Sequence, residues 1–269
     1  MSAAAPPPFF TRYGFTRTGN PEAPLELAPY PAVCAHGALR VTVIASAIDL
    51  VGGFTTREVA GSDATFTSDL SLRIVRPGIP ARLVAHAEPL RVGRRLVTTG
   101  VRLEADAETY AYGETSFVRI ARETGAAPDV RTLATPEAIS FHPLERPLDE
   151  EVGIETVDAA AGSIRLALRP ALLNPEGALQ GALAALIVEC AALALADHER
   201  GRPQLVTELD LRYLAAASAG PVVARAACLG PPATGMIRVE TRDQGRDDRL
   251  TTSALVRVAD APEPESGVS

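Results

Sequence analysis

Residues 182–196 form the most apolar segment of the chain, and this segment constrains the fold most strongly. Every residue in it is Ala, Leu, Ile, Val or Cys except Glu189, which stands at its centre. A helix that is apolar on all faces must be buried on all faces. Burial disfavours the charged form of a carboxyl group, so this acid must either be paired or face a pocket. The segment therefore predicts a core helix that carries one structural or functional acid.

A second segment repeats this arrangement 140 residues earlier. Residues 36–49 and 176–189 both contain Gly-Ala-Leu, continue as apolar helices and reach an acid at the same point, Asp49 and Glu189. A threonine follows each acid by 18 residues, and LSLR, VAHA and SFVRI in the first half match LDLR, VARA and ALVRV in the second. Matches that recur in the same order at nearly one offset indicate an internal duplication.

Each half has the pattern of one long helix followed by four alternating strands. The helices are expected near 38–51 and 178–198, and sequential strands after a single helix favour an antiparallel sheet that curls around it. The predicted class is thus α+β, as a tandem of two such units. We expect an N-terminal domain over 9–120, a proline-containing linker over 121–148 and a C-terminal domain over 149–259.

The composition excludes several classes of function. The net charge of −7 argues against non-specific nucleic-acid binding. All 26 basic residues are arginine, which excludes a Schiff-base lysine and a P-loop lysine. Three widely spaced cysteines indicate neither a disulfide framework nor a zinc site. The chain start lacks the pattern of a signal peptide, and the apolar run is shorter than the roughly 20 residues of a membrane span, so we expect a cytoplasmic protein with no membrane partner.

The second copy resembles a known group of enzymes. Its pattern is Asn174, then Gln180-Gly181-Ala182 at the helix start, then Glu189. It is similar to the hotdog acyl-CoA thioesterases of the phenylacetate-degradation type, which carry Asn, then His-Gly-Gly, then Asp or Glu two turns along. Gln180 here replaces the histidine and Ala182 replaces the second glycine. The resemblance covers most of 30–120 and 151–259 and implies a double hotdog, in which two halves of one chain imitate the usual homodimer.

The resemblance also implies a site and a reaction. In these enzymes the acid attacks the thioester carbonyl or activates water, and N–H groups at a helix start stabilise the carbonyl oxygen. The acid and the donors of one site come from opposite subunits. Carried over, Asp49 would act with Asn174, Gln180 and Gly181. The reciprocal site would join Glu189 to His36, Arg40 and Val41. We expect the Asp49 site to be better preserved, because Val41 stands where the other half has Gly181.

The expected substrate is an acyl-CoA, with coenzyme A as part of the substrate and with no separate cofactor or metal. Arg76, Arg94 and Arg95 are candidates for contacting its phosphates, because arginine suits phosphate geometry. Hotdog pairs often stack, so we expect a homodimer of this chain.

Other interpretations stay open at this point. Glu189 is alternatively a core acid paired with a buried arginine, Asp49 a helix-end residue, and His36 a cap or loop residue. The three arginines are alternatively solvated strand ends. The departures from the family pattern also allow a non-catalytic acyl-CoA binding protein, or a structural partner built from a degenerate duplicate.

Overall fold

The structure is a computed structural model. It describes the chain over 9–20, 22–61, 63–120, 141–174 and 176–262.

The described residues form three α-helices and fourteen strands. The helices are α1 (Val41–Ala60), α2 (Leu148–Val152) and α3 (Gly181–Arg200). The strands of the first half are β1 (Phe15–Arg17), β2 (Leu25–Leu27), β3 (Cys34–Ala35), β4 (Ala38–Leu39), β5 (Ala64–Ile74), β6 (Leu83–Val92), β7 (Leu96–Ala105) and β8 (Glu108–Ile120). Those of the second half are β9 (Ile154–Asp158), β10 (Ser163–Leu166), β11 (Gln204–Tyr213), β12 (Val222–Cys228), β13 (Met236–Asp243) and β14 (Arg249–Asp260).

Twelve of these strands form one continuous antiparallel sheet. Its order is β1-β2-β6-β7-β8-β5-β11-β14-β13-β12-β10-β9. The two halves meet where β5 pairs with β11, and Leu72 lies opposite Leu209 at this junction. α1 packs against the strands of the first half, and α3 packs against those of the second. The expected tandem hotdog, a long helix wrapped by antiparallel sheet in each half, is confirmed.

Both long helices begin in the same way, as a duplication requires. Arg40 and Gln180 precede α1 and α3, and both have φ −59° and ψ 137°. A small antiparallel pairing stands before each helix, between β3 and β4 in the first half and between Leu173 and Leu179 in the second. The chain therefore reaches the two helix starts along equivalent paths.

The predicted end of the first helix near residue 51 is wrong. α1 continues to Ala60, so Asp49 lies in its middle. Gly52 and Gly53 are helical, and a Cβ added at Gly52 would stand 2.4 Å from Cγ2 of Thr115 and 3.3 Å from the ring of Phe117. The glycine is there because the helix packs very closely on β8, and it does not end the helix.

α3 is long and apolar enough to cross a membrane by length and composition. However, 67% of its most apolar window is buried inside the protein. Its apolar surface is thus covered by α1 and the sheet, as the sequence predicts for a core helix.

The boundaries of the predicted linker fall partly outside the described residues. Residues 121–140 belong to the part of the chain that the structure does not describe. The chain is described again from residue 141, and α2 begins at Leu148, next to the expected start of the second domain.

Candidate active site

The two long helices lie against each other in antiparallel directions. Thr42, in the first turn of α1, contacts Glu189 in the third turn of α3. At the other end, Asp49 lies in the third turn of α1 and Gly181 begins α3. Each acid is thereby placed opposite the start of the partner helix.

Glu189 is a buried and fully partnered acid. Its side chain is 3% exposed, and its Oε2 accepts a hydrogen bond from the backbone N–H of Thr42 at 3.1 Å. The Thr42 hydroxyl donates to the same oxygen. The guanidinium of Arg40 lies 3.9 Å from Oε1 and also pairs with Asp149 at the start of α2. The carboxylate of Glu189 therefore occupies the hydrogen-bond donor position at the start of α1.

The surroundings of Glu189 are closed to solvent. Val41 and Thr42 are buried, and Arg40 is only 7% exposed. Among the described residues, the hydroxyl of Tyr13 and Nε of Arg40 are buried without a hydrogen-bond partner. Burial, followed by the charge of Glu189, raises the pKa of Tyr13. Burial also raises the pKa of Cys190 to about 12, so the neighbouring thiol is not a ready nucleophile.

Asp49 has a different environment. It is half-buried, and its Oδ1 accepts a hydrogen bond of 2.7 Å from the hydroxyl of Thr67 on β5. Burial raises the pKa of Asp49, while the Thr67 hydrogen bond and the positive charge of Arg57 act in the opposite direction. A carboxylate whose pKa is raised in this way is better suited to accept a proton than an exposed one.

The start of α3, opposite Asp49, is open. Gly181 and Ala182 are partly exposed, and within the described part of the chain their N–H groups have no recorded acceptor. The hydroxyl of Tyr213 on β11 donates to the carbonyl oxygen of Gly181 at 3.2 Å. Burial raises the pKa of Tyr213, and the charge of Asp49 is the next cause. Asp49, Tyr213 and the α3 start therefore share one neighbourhood.

A positively charged flank lies further along α1 from Asp49. Arg57 is two turns beyond the acid, and the guanidinium of Arg17 stands 4.3 Å from the ring centre of Phe54. Burial and then the charge of Arg17 lower the pKa of Arg57. Neither Arg17 nor Arg57 belongs to a motif or to the repeat, so the sequence contains no signal for either arginine.

Asn174 and Gln180 stabilise the segment that leads into α3. Oδ1 of Asn174 accepts from the N–H of Ala178 at 2.9 Å and shapes the loop before the helix. Oε1 of Gln180 accepts from the N–H of Phe9 at 2.7 Å, and its Nε2 donates to the carbonyls of Ala171 and Leu173. The Gln180 amide thus holds the N-terminal segment against the start of α3.

The structure does not gather the remaining predicted residues at one place. His36 has φ 51°, and its Nε2 lies 3.7 Å from Asp197 near the end of α3. Arg76 pairs with Glu108 and donates to the carbonyl of Ala105. Arg94 and Arg95 are exposed in the turn between β6 and β7.

That turn lies at the same end of the molecule as the start of α3. The carbonyl of Arg95 accepts from the N–H of Arg119, whose guanidinium donates to the carbonyl of Ala60 at the end of α1. Asp49 lies opposite the start of α3, so the end of α1 at Ala60 extends about three turns beyond that start. Arg94 and Arg95 thus lie at the C-terminal end of α1, beyond Asp49, whereas His36 lies near the end of α3.

A surface depression on the second half lies outside this region. It is lined by side chains that include Arg225 on β12 and Arg242 on β13. Arg225 alternates along its strand with the buried Ala224 and Ala226, so it faces away from α3. The depression is therefore separate from both acids.

Equivalent positions in the two halves explain the contrast between the acids. Thr42 corresponds to Ala182, and Asp49 to Glu189, each 140 residues apart. Glutamate is one methylene longer than aspartate, and Glu189 reaches the N–H of the opposite helix. Asp49 bonds instead to Thr67 in its own half. The sequence pointed to Thr67 only as part of the repeat, and it gave no signal for Tyr213.

Comparisons with known proteins agree with this architecture. The model of the thioesterase superfamily matches residues 36–112, which include α1 and Asp49. No curated protein matches the sequence.

Three solved structures share the fold along nearly their whole length. A candidate oleoyl thioesterase from Lactobacillus plantarum has a TM-score of 0.60 at 13% identity, over 88% of this chain and 96% of that one. The TesB protein of Mycobacterium avium subs paratuberculosis has a TM-score of 0.58 at 14% identity, over 93% and 97%. An acyl-ACP thioesterase from Bacteroides thetaiotaomicron has a TM-score of 0.58 at 14% identity, over 87% and 96%. The chain is therefore a double-hotdog protein of the kind found among thioesterases, and its first half carries the sequence pattern of the thioesterase superfamily.

Proposed function

We propose that this protein is an acyl-CoA thioesterase with one catalytic cleft per chain, between Asp49 on α1 and Gly181–Ala182 at the start of α3. The observation that carries the proposal is the contrast between the two helix starts. The N–H of Thr42 is bonded to Glu189, whereas the N–H groups of Gly181 and Ala182 have no recorded acceptor within the described residues. Val41 and Thr42 are also buried, whereas Gly181 and Ala182 are partly exposed, so the start of α3 is the one available to a substrate oxygen.

The proposed reaction uses the groups present there. The thioester carbonyl oxygen accepts hydrogen bonds from the start of α3, where unpaired donors and the helix dipole favour negative charge. Asp49 takes a proton from a water molecule as the water oxygen attacks the carbonyl carbon. The resulting oxyanion is held by the same N–H groups. The carbon–sulfur bond then breaks, and the proton passes to the sulfur to give a carboxylic acid and the free thiol of coenzyme A.

Neighbouring side chains support these steps. Thr67 holds the Asp49 carboxylate, which keeps it in one orientation. Asn174 shapes the loop that leads into α3. Arg94 and Arg95, together with Arg17 and Arg57, supply positive charge on this side for the phosphates of coenzyme A.

In this proposal Glu189 has a structural role. Its carboxylate, Arg40 and Asp149 join α3 to the start of α1 and to α2. In this proposal, the site that the resemblance predicts at the start of α1 is occupied by the carboxylate of Glu189.

The test is release of coenzyme A from a panel of acyl-CoAs that differ in chain length and in aryl or alkyl character. We expect turnover of at least one class, and we expect crystals of Asp49→Asn soaked with that acyl-CoA to hold the thioester oxygen against Gly181 or Ala182. Tight binding without turnover by the wild-type protein would favour the alternative of a non-catalytic acyl-CoA binding protein. Absence of both binding and turnover across the panel would overturn both functions.

A further inference from the structure

Tyr213 is a polar residue of the Asp49 cleft that neither the repeat nor the thioesterase pattern assigns to a role. It ends β11, on which Leu209 and Leu211 are buried. Side chains two apart along a strand share a face, so Tyr213 points in the same direction, toward the helices. Its hydroxyl accordingly reaches Gly181 at the start of α3.

The contact with Gly181 is close and directional. The Tyr213 hydroxyl donates to the Gly181 carbonyl at 3.2 Å. A Cβ at Gly181 would stand 3.5 Å from this hydroxyl and 3.6 Å from Cε1 of the ring. The phenol therefore lies directly against the first peptide group of the helix.

This peptide group links the Gly181 carbonyl to the Ala182 N–H. The peptide is planar, so a hydrogen bond that holds the carbonyl also fixes the direction of the N–H. Donation to a carbonyl also polarises its amide, so the N–H of the same group becomes a stronger donor. In the proposed reaction, Ala182 is one of the two residues whose N–H groups receive the thioester oxygen.

The other half provides an internal comparison. The repeat of LSLR (70–73) and LDLR (209–212) places Ile74 at the position of Tyr213. Ile74 has no hydroxyl, and the N–H of Thr42 in that half is already bonded to Glu189. The tyrosine thus occurs in the half whose helix start is open.

We propose that Tyr213 is a positioning residue for the oxyanion donor, which fixes and polarises the Gly181–Ala182 peptide. This inference rests on the proposed thioesterase function. Burial and the charge of Asp49 both raise the pKa of the Tyr213 phenol, which favours its protonated, donating form. Its effect should fall on the chemical step and leave substrate binding nearly unchanged.

The test compares Tyr213→Phe with Tyr110→Phe. Tyr110 is a matched control, because its hydroxyl also donates to a glycine carbonyl, that of Gly78 at 2.8 Å, in the first half. We expect Tyr213→Phe to lower kcat about tenfold with KM within about twofold. This loss is smaller than that caused by removing an oxyanion donor, because the Ala182 N–H itself remains. Tyr110→Phe should leave kcat unchanged. The amide nitrogen resonance of Ala182 should move upfield only in Tyr213→Phe.

A second variant keeps the test decisive if Tyr213→Phe folds poorly. Replacing Tyr213 by a fluorinated tyrosine retains the ring and strengthens the donor, so kcat should exceed that of the wild type, and an unchanged kcat would count against the role of Tyr213. A wild-type kcat and an unmoved Ala182 resonance in Tyr213→Phe would overturn the role of Tyr213. If Asp49→Asn abolishes turnover in the same assays, the thioesterase proposal survives that outcome. If the wild type itself fails to hydrolyse any acyl-CoA, the proposed function fails instead.

Discussion

The carboxylate of Glu189 accepts a hydrogen bond of 3.1 Å from the backbone N–H of Thr42, across the interface between the two central helices. The acid therefore caps the helix of the opposite half, and Arg40 neutralises it from the same side. A carboxylate at a helix start interacts favourably with unpaired N–H groups and with the helix dipole. This cap explains why an acid stands at the centre of the most apolar segment.

Replacement of Glu189 should destabilise the protein. In Glu189→Gln the charge that faces Arg40 is lost, and breaking a buried ion pair costs on the order of 3 kcal/mol. The free energy of unfolding from urea titrations measures the effect. Glu208→Gln is the control, because Glu208 pairs with Arg73 at the surface, where such pairs contribute little. Equal stability of the two variants would contradict the capping role.

Thr67 should set the pH dependence of turnover. Its hydrogen bond opposes the rise that burial causes in the Asp49 pKa, so Thr67→Val should raise this pKa further. A base must be ionised to act, and activity is lost as the pH falls through its pKa. The acid limb of the kcat profile should therefore move to higher pH.

The matched control for that variant is Thr207→Val at the equivalent position of the second half. Its hydroxyl bonds the carbonyl of Arg257 and does not reach Glu189. The control profile should coincide with that of the wild type. A profile for Thr67→Val that does not move would argue against Asp49 as the ionising group.

Asp243 should stabilise the second half in a pH-dependent way. Its fully buried carboxylate accepts hydrogen bonds from the N–H groups of Ser218, Ala219, Gly220 and Gly245. Burial alone would raise the pKa of Asp243, but these four hydrogen bonds lower it. A lowered folded-state pKa gives stability that is present above the unfolded value and lost as pH falls through the folded value.

Asp243→Asn should therefore reduce the free energy of unfolding at neutral pH by about 2 kcal/mol, as for hydrogen bonds to a charged group. The difference from the wild type should shrink below about pH 4, where the unfolded carboxyl is protonated. Urea titrations at neutral and acidic pH measure this. A difference that is independent of pH would mean that the charge of Asp243 is unimportant.

We also predict that the chain forms a homodimer through the outer face of its first half. Phe66, Val118 and Leu96 lie opposite one another on adjacent strands, with 47%, 36% and 36% of their surface exposed. A contiguous exposed apolar patch is typical of an interface. Light scattering at micromolar concentration should give twice the chain mass, and Phe66→Glu should give the monomer. Val157→Glu, at an exposed site on the edge strand β9, should leave the dimer intact; a wild-type monomer would refute the prediction.

Much of the architecture could be predicted from the sequence, because the alternation of apolar and polar residues shows which side chains are buried. The repeat shows that both halves share one fold. The repeat makes Asp49 and Glu189 equivalent, and Glu189 does reach the opposite helix. The sequence does not predict the full length of α1, because a glycine such as Gly52 usually indicates a helix end. Gly52 is instead required by the close packing of the helix against Thr115, which only the structure shows. The difference between the acids was also hidden, because it depends on one methylene group and on where Thr42 and Arg40 lie in three dimensions.

Turnover by Asp49→Asn and Glu189→Gln, measured beside the wild type on the preferred acyl-CoA, distinguishes a catalytic Asp49 from a structural one. We predict that Asp49→Asn loses about a hundredfold or more in kcat, the usual scale for a general base. Its stability at neutral pH should not fall, because burial raises the pKa of Asp49 and so makes the charged form unfavourable in the fold. Glu189→Gln should keep most of its turnover at a temperature where it remains folded. Parental rates in both single variants and in the double variant, or a greater loss in Glu189→Gln than in Asp49→Asn, would show that Asp49 is not the catalytic acid.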